Sequence, residues 1–200
     1  MNFRELAARE LKESAEVKLR CADQLAPEIE KAAEMLVECF RAGGKVMLCG
    51  NGGSASDSQH IAAEFVNRYV GERPALASIA LTTDTSNLTS IGNDRSFDEV
   101  FSRQVAALGR KGDVLIGITT SGKSPNVLKA FEEAKRLGVK TIAFSGRDGG
   151  PAAEMADHAI VVPDKTTSRI QEVHITVGHI LCGLVDREMF GTPAKDYGIA

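Results

Sequence analysis

From Phe3 to Arg41 apolar residues return every third or fourth position, in FRELAARELKESAEVKLRCADQLAPEIEKAAEMLVECF, the period of an amphipathic helix. Pro27 predicts a break after DQLA, because proline lacks the N–H of the helical ladder and its ring crowds the preceding turn. Two helices are therefore expected, the second closed by Gly43 and Gly44. Beyond them the pattern changes to apolar runs too short and too β-branched for helices: KVMLCG (45–50), ALASIAL (75–81), DVLIGITT (113–120), KTIAFSG (140–146) and HAIVVP (158–163). These predict five strands. Helical periods fall between them at 54–69, 96–108, 125–137 and near 151–156, and a long one covers 168–190.

Strands alternating with helices imply parallel pairing through right-handed crossovers. The expected fold is an α/β domain: a three-layer α/β/α sandwich with a five-stranded parallel sheet. One domain spans residues 1–200, with a helical N-terminal extension (1–42) ahead of an α/β core (43–200) that ends in the long helix. Ligands of such sheets bind beyond the carboxyl ends of the strands. The loops to inspect are GNGGSASDS, TTDTSN, TTSGKS, SGRDGG and PDKTTS.

Composition narrows the function without naming it. Apolar residues make up 43% and charged residues 26%, which is globular rather than disordered. A net charge of -3 with both signs interspersed offers little to a nucleic-acid backbone or an anionic membrane, so neither is an expected partner. Cys21, Cys39, Cys49 and Cys182 form no C-x-x-C pair and sit in apolar context, which reads as reduced thiols in a cytoplasmic core. No apolar run suits a secretion signal or a membrane span, so a soluble, unprocessed protein is expected.

GITTSGKS (117–124) matches the phosphate-loop pattern of NTPases letter for letter. Gly117, however, lies inside the apolar run VLIGIT, so the loop proper is only Thr119 to Ser124. Its hydroxyls, Thr119, Thr120, Ser121 and Ser124, with Pro125 at the first helical position, describe a cup on a helix N-terminus suited to one phosphate monoester. An NTPase also needs an acidic strand end to organise Mg²⁺, and the candidate, Asp164, follows a proline after the last strand. Lys123 reads equally as a phosphate contact and as a solvated loop lysine. The loop CGNGGSAS, with Gly52, Gly53 and a capping Ser54, allows close approach of a ligand to the backbone, or is a plain capped turn.

His60 and Glu64, four apart, share one helix face. Imidazole and carboxylate at that spacing suit a divalent transition metal, and equally describe an exposed surface pair. In SRIQEVHITVGHILCGLVDREMF, Ser168 and Gln171 read as a capping box and His174 as a surface residue. His179 falls among Val177, Ile180 and Leu184 on an expected buried stripe, where an imidazole needs a partner.

Taken in order, CGNGGSASDSQHIAAEF, GND (92–94), TTSGKS and SRIQEVHITVGHILCGLVD closely resemble the phosphoheptose isomerases of the sugar isomerase (SIS) domain family, with its flavodoxin-like fold. The resemblance spans nearly the whole chain. It implies an aldose–ketose isomerase converting sedoheptulose 7-phosphate to D-glycero-D-manno-heptose 7-phosphate, toward the heptose of bacterial lipopolysaccharide. It also implies that Asn51, Gly52, Gly53 and Ser54 line the sugar, that Asn93 and Asp94 bind its hydroxyls, and that Thr119, Thr120, Ser121 and Ser124 hold its phosphate. His60, Glu64, Gln171 and His179 would be ligands of one Zn²⁺ per subunit, with Glu64 and His179 the catalytic acid/base pair and Glu64 and Gln171 also touching substrate. The chain departs from some relatives in carrying Ser168 where they have an acidic residue. The alternative within the family is a regulator that binds the bacterial replication initiator and lacks the full acid/base set; here Glu64 and His179 are both present.

Gln171 and His179 are eight residues apart, about 12 Å along a helix at roughly 1.5 Å per residue. That span predicts a site assembled at a subunit interface of a homotetramer, the family's assembly, with the N-terminal helices as oligomer contacts.

Overall fold

Within β1 (Val46–Gly50) alternate residues serve opposite sides of the sheet: Val46 and Leu48 enter one core, Met47 and Cys49 the other. The same holds in β3 (Val114–Thr119), where Val114, Ile116 and Ile118 face the first core and Leu115 the second. The computed structural model describes residues 2–191. With β2 (Ser78–Ala80), β4 (Lys140–Gly146) and β5 (His158–Val162) these strands form one sheet, ordered β2-β1-β3-β4-β5 and parallel throughout. The expected α/β/α class and strand set are present.

Helices α1 (Phe3–Arg41), α2 (Gly53–Val66) and α7 (Thr167–Phe190) cover the first core. The second lies under α4 (Ser102–Leu108), α5 (Pro125–Leu137) and α6 (Gly150–Met155), with α3 (Thr85–Asp94) at its margin. Strand order reverses between β1 and β3, and a crevice opens there beyond the carboxyl ends of the strands. The loops after β1 and β3 form its two walls.

Gly117 settles the phosphate-loop pattern. It sits mid-strand in β3, paired with Cys49 and Ala143, and a Cβ there would meet the Phe131 ring at 2.5 Å. Its task is to seat a core phenylalanine, and the loop begins after Thr119.

Four expectations about elements need correction. The two N-terminal helices are one, running through Pro27. The buried stripe Val17, Cys21, Leu25, Ile29, Ala32, Leu36 keeps its register on both sides of the proline, so packing on α7 and β5 outweighs the lost hydrogen bond. The helix expected at 96–108 is a 3₁₀ turn (Phe97–Glu99) and α4, preceded by α3, which falls on TTDTSN and GND. No residue of α3 is buried, which removes the apolar period that would have signalled it; Asp84, its cap, accepts from the Asn87 N–H at 3.0 Å. Ser54 does not cap α2, which starts from Gly52 at φ 55°; Ser54 is buried inside the first turn. Nor do Ser168 and Gln171 form a capping box, since Thr166 stands at the N-cap of α7.

Candidate active site

The hydroxyl cup has the expected form. Ser124 is the N-cap of α5 with Pro125 at the first helical position, and the Ser124 side chain caps no backbone N–H of its own helix. Instead its hydroxyl meets that of Thr119 at 2.9 Å, and Thr119 meets Ser121 at 3.5 Å. Three hydroxyls thus converge at a helix start, where the helix dipole favours an anion. Thr120 stands half-buried beside them and Lys123 exposed, its backbone N–H donating to the Ser121 hydroxyl at 3.2 Å. Lys123, Arg147 and Lys165 line an open pocket of about 690 Å³ that borders Ser121. Asp164, the acid an NTPase would need, accepts from the Thr166 N–H at 2.8 Å, which keeps its carboxyl below the usual range, and pairs with Arg20 at 3.1 Å.

Across the crevice α2 and α7 lie side by side in the same direction: Asp57 meets Gln171, Ile61 meets Gly178 and His60 meets His179. Gly178 permits this approach, since a Cβ there would stand 2.5 Å from Ile61 Cδ1. His60 Nε2 lies 3.0 Å from His179 Nε2 and 3.2 Å from Glu64 Oε1, and one ligand atom from each residue falls within 4.8 Å of the others. Two imidazole nitrogens and a carboxylate oxygen aimed at one point are a fitting donor set for a divalent transition metal. All three come from one chain, so no neighbour is needed to gather them. The fourth expected ligand, Gln171, has its amide Nε2 on both Asp57 oxygens at 2.7 and 2.8 Å.

The two histidines of α7 exchange the environments expected of them. His179 is half-exposed, with Tyr69 stacked on its ring at 5.6 Å, and Ile180 faces outward. His174 is fully buried. Its Nε2 donates to the Ser145 carbonyl at 2.9 Å, its Nδ1 has no partner among the described residues, and burial pushes its pKa down to about 4. The inward face of α7 runs through Ile170, Val173, His174, Val177 and Leu181, which leaves position 179 at its edge over α2.

Of the sugar-lining set, Gly52 and Gly53 are exposed at the start of α2, with the Gln171 side chain passing over Gly53. Asn51 exchanges hydrogen bonds of 2.9 and 2.8 Å with Asn126, an amide pair that joins the loop after β1 to the phosphate cup. Asn93 and Asp94 stand exposed at the carboxyl end of α3, bonded to each other at 2.8 Å. No hydrogen bond among the described residues ties them to cup or cluster.

Sequence reasoning missed several supports. Asp57 lies on the His60–Glu64 face at positions i, i+3 and i+7, a spacing that was available to find it; burial raises its pKa. Arg73 donates to the Glu64 and Phe65 carbonyls at 2.7 and 2.9 Å and pairs with buried Asp186 at 2.6 Å, pinning the carboxyl end of α2 where Glu64 sits. Asn126 and Tyr69 had no local signal, because their partners Asn51 and His179 are distant in sequence, and the same holds for the pairing of Arg73 with Asp186.

Residues 11–146 match the model of the SIS domain family, the class of sugar isomerase domain that this fold and this crevice define. A phosphoheptose isomerase of Desulfovibrio desulfuricans is 56% identical over 81% of this chain and 77% of its own length. One from Sulfurimonas denitrificans is 51% identical over 91% of this chain and 94% of its own. The solved phosphoheptose isomerase of Neisseria gonorrhoeae superposes with a TM-score of 0.87 at 47% identity, covering 92% of this chain and 99% of that one. The chain belongs to the phosphoheptose isomerases of the SIS domain family.

Proposed function

We propose that the protein interconverts sedoheptulose 7-phosphate and D-glycero-D-manno-heptose 7-phosphate, supplying heptose for bacterial lipopolysaccharide. The observation that carries this is the meeting of His60, Glu64 and His179 within 4.8 Å, across a crevice from a cup of hydroxyls. Thr119, Thr120, Ser121 and Ser124 hold the phosphate, and this remote binding positions the sugar without reacting. Asn51, Gly52, Gly53 and Ser54 line the chain of the sugar, and Asn93 and Asp94 bind hydroxyls from the rim.

The isomerisation moves a proton from C1 of the ketose to C2 through an enediol, and the O1 hydroxyl proton to O2. Glu64 is the base for carbon and His179 the acid for oxygen, a division suited to a carboxylate and an imidazole that lie close together. His60, Glu64 and His179, with Gln171 as fourth ligand, suit Zn²⁺, one per subunit. An ion held by these residues would supply Lewis-acid polarisation of the substrate carbonyl.

The rest of the reading concerns the whole molecule. Residues 1–200 form one domain, supported by the shared sheet under both cores. Phe3, Leu11 and Leu19, exposed at 93%, 75% and 76%, support burial of α1 in a homotetramer with active sites near its interfaces. No helix among the described residues is long and apolar enough to cross a membrane, and four buried free cysteines suit the cytoplasm. The presence of both Glu64 and His179 favours the enzyme over a non-catalytic regulator.

Incubation with sedoheptulose 7-phosphate should yield the aldose, and Glu64→Gln and His179→Ala should not. Turnover that survives both substitutions overturns the assigned roles. Chelation followed by metal analysis tests the Zn²⁺ reading separately.

A further inference from the structure

Asp57 is 4% exposed, has no ion-pair partner among the described residues, and is absent from the acid/base and ligand roles above. It takes both its side-chain hydrogen bonds from one group, the Gln171 amide nitrogen, at 2.7 and 2.8 Å. A carboxylate only accepts hydrogen bonds, so the nitrogen of that amide must face it. The oxygen then points elsewhere. Without Asp57 no hydrogen bond among the described residues selects between the two orientations of the amide, and its nitrogen, which cannot ligate a cation, competes for the oxygen's place.

We infer that Asp57 is a positioning residue of the cation site: it holds the Gln171 amide in the one orientation that leaves Oε1 free to bind a divalent cation. Asp57 precedes His60 by one turn on α2, so the helix that supplies two ligands also orients the fourth, Gln171, on α7. Partners of this kind, hydrogen-bonded to a ligand rather than to the ion, typically govern about 10–100-fold in metal affinity. The inference rests on the reading of Gln171 as a ligand.

The full-length chain, stripped with chelator, is titrated with Zn²⁺ against a chromophoric competitor and with Co²⁺, whose visible spectrum reports its ligand set. Gln171→Ala should weaken Zn²⁺ and change the Co²⁺ spectrum. Asp57→Asn, able to present N–H₂ as readily as oxygen to Gln171, should weaken Zn²⁺ by about 10–100-fold and shift the spectrum in the same sense. Added to Gln171→Ala, it should cost nothing further, which a merely structural role would not produce. If Gln171→Ala binds like the unaltered chain, the ligand reading fails and Asp57 falls with it. If Gln171→Ala is weakened while Asp57→Asn is not, Asp57 alone is refuted. Asp57→Ser serves as a second variant, with the same outcomes, if Asp57→Asn does not fold.

Discussion

The two walls of the crevice are built in opposite ways. The proposed phosphate wall is one contiguous segment, Thr119 to Ser124, and its chemistry is hydroxyls and the start of α5, with Lys123 exposed beside them. The reacting wall takes His60 and Glu64 from α2 and His179 from α7, more than a hundred residues later, and its chemistry is carboxylate and imidazole. The first survives as a local turn wherever the strand and helix go. The second exists only while two helices keep their spacing, which Gly178 allows and Arg73 secures. In the proposed roles, binding is locally encoded and reaction is a product of packing.

That contrast can be broken from either side. Glu64→Gln should strike the reacting wall alone, lowering kcat by about 10²–10⁴-fold while KM for the sugar phosphate changes little. Steady-state kinetics decides it, and a rise in KM of similar size would show that the walls are not separable.

His174 ties α7 to the sheet, bonded to the Ser145 carbonyl at the carboxyl end of β4. Its pKa falls from 6.5 to about 4 on folding, so the native state binds fewer protons than the unfolded one. Its contribution is therefore complete above pH 6.5 and is lost as pH falls toward 4, a difference of about 3 kcal/mol. Denaturant unfolding across that window should show the slope, and His174→Gln should flatten it.

Gly178→Val puts carbon where Ile61 stands and should cost about 1–3 kcal/mol in stability. It should also separate His179 from His60, so turnover drops while the protein still binds a phosphate monoester, read by calorimetry. The smallest effect belongs to the cup. Ser124→Ala removes one of several hydroxyls while those of Thr119 and Ser121 remain, and at about 1.5 kcal/mol, the low end for hydrogen bonds to charged groups, KM should rise about tenfold with kcat nearly kept.

How much of this was legible follows the same division. The five strands, the α5 cup and its proline could be read directly, because strand alternation and a helix start depend on neighbours within a few residues. Pro27 misled because its local penalty is outweighed by a stripe that packs on α7 and β5. The helix α3 escaped because none of its residues is buried. His174 and His179 were assigned to each other's surroundings because five residues on a helix turn a side chain by more than a quarter circle, and the edge of a buried face cannot be placed that finely from periodicity.

By itself the sequence determined the layers, the parallel sheet, the hydroxyl cup and the residue types able to move a proton, since each is written in spacing or composition over short range. Only the tertiary structure decided that Asp57 meets Gln171, that Asn51 meets Asn126 and that Tyr69 stacks on His179. The meeting of Asp57 with Gln171 is set by how closely α2 and α7 pack, and that distance depends on a missing side chain at Gly178 and on Ile61, more than a hundred positions away, filling its place.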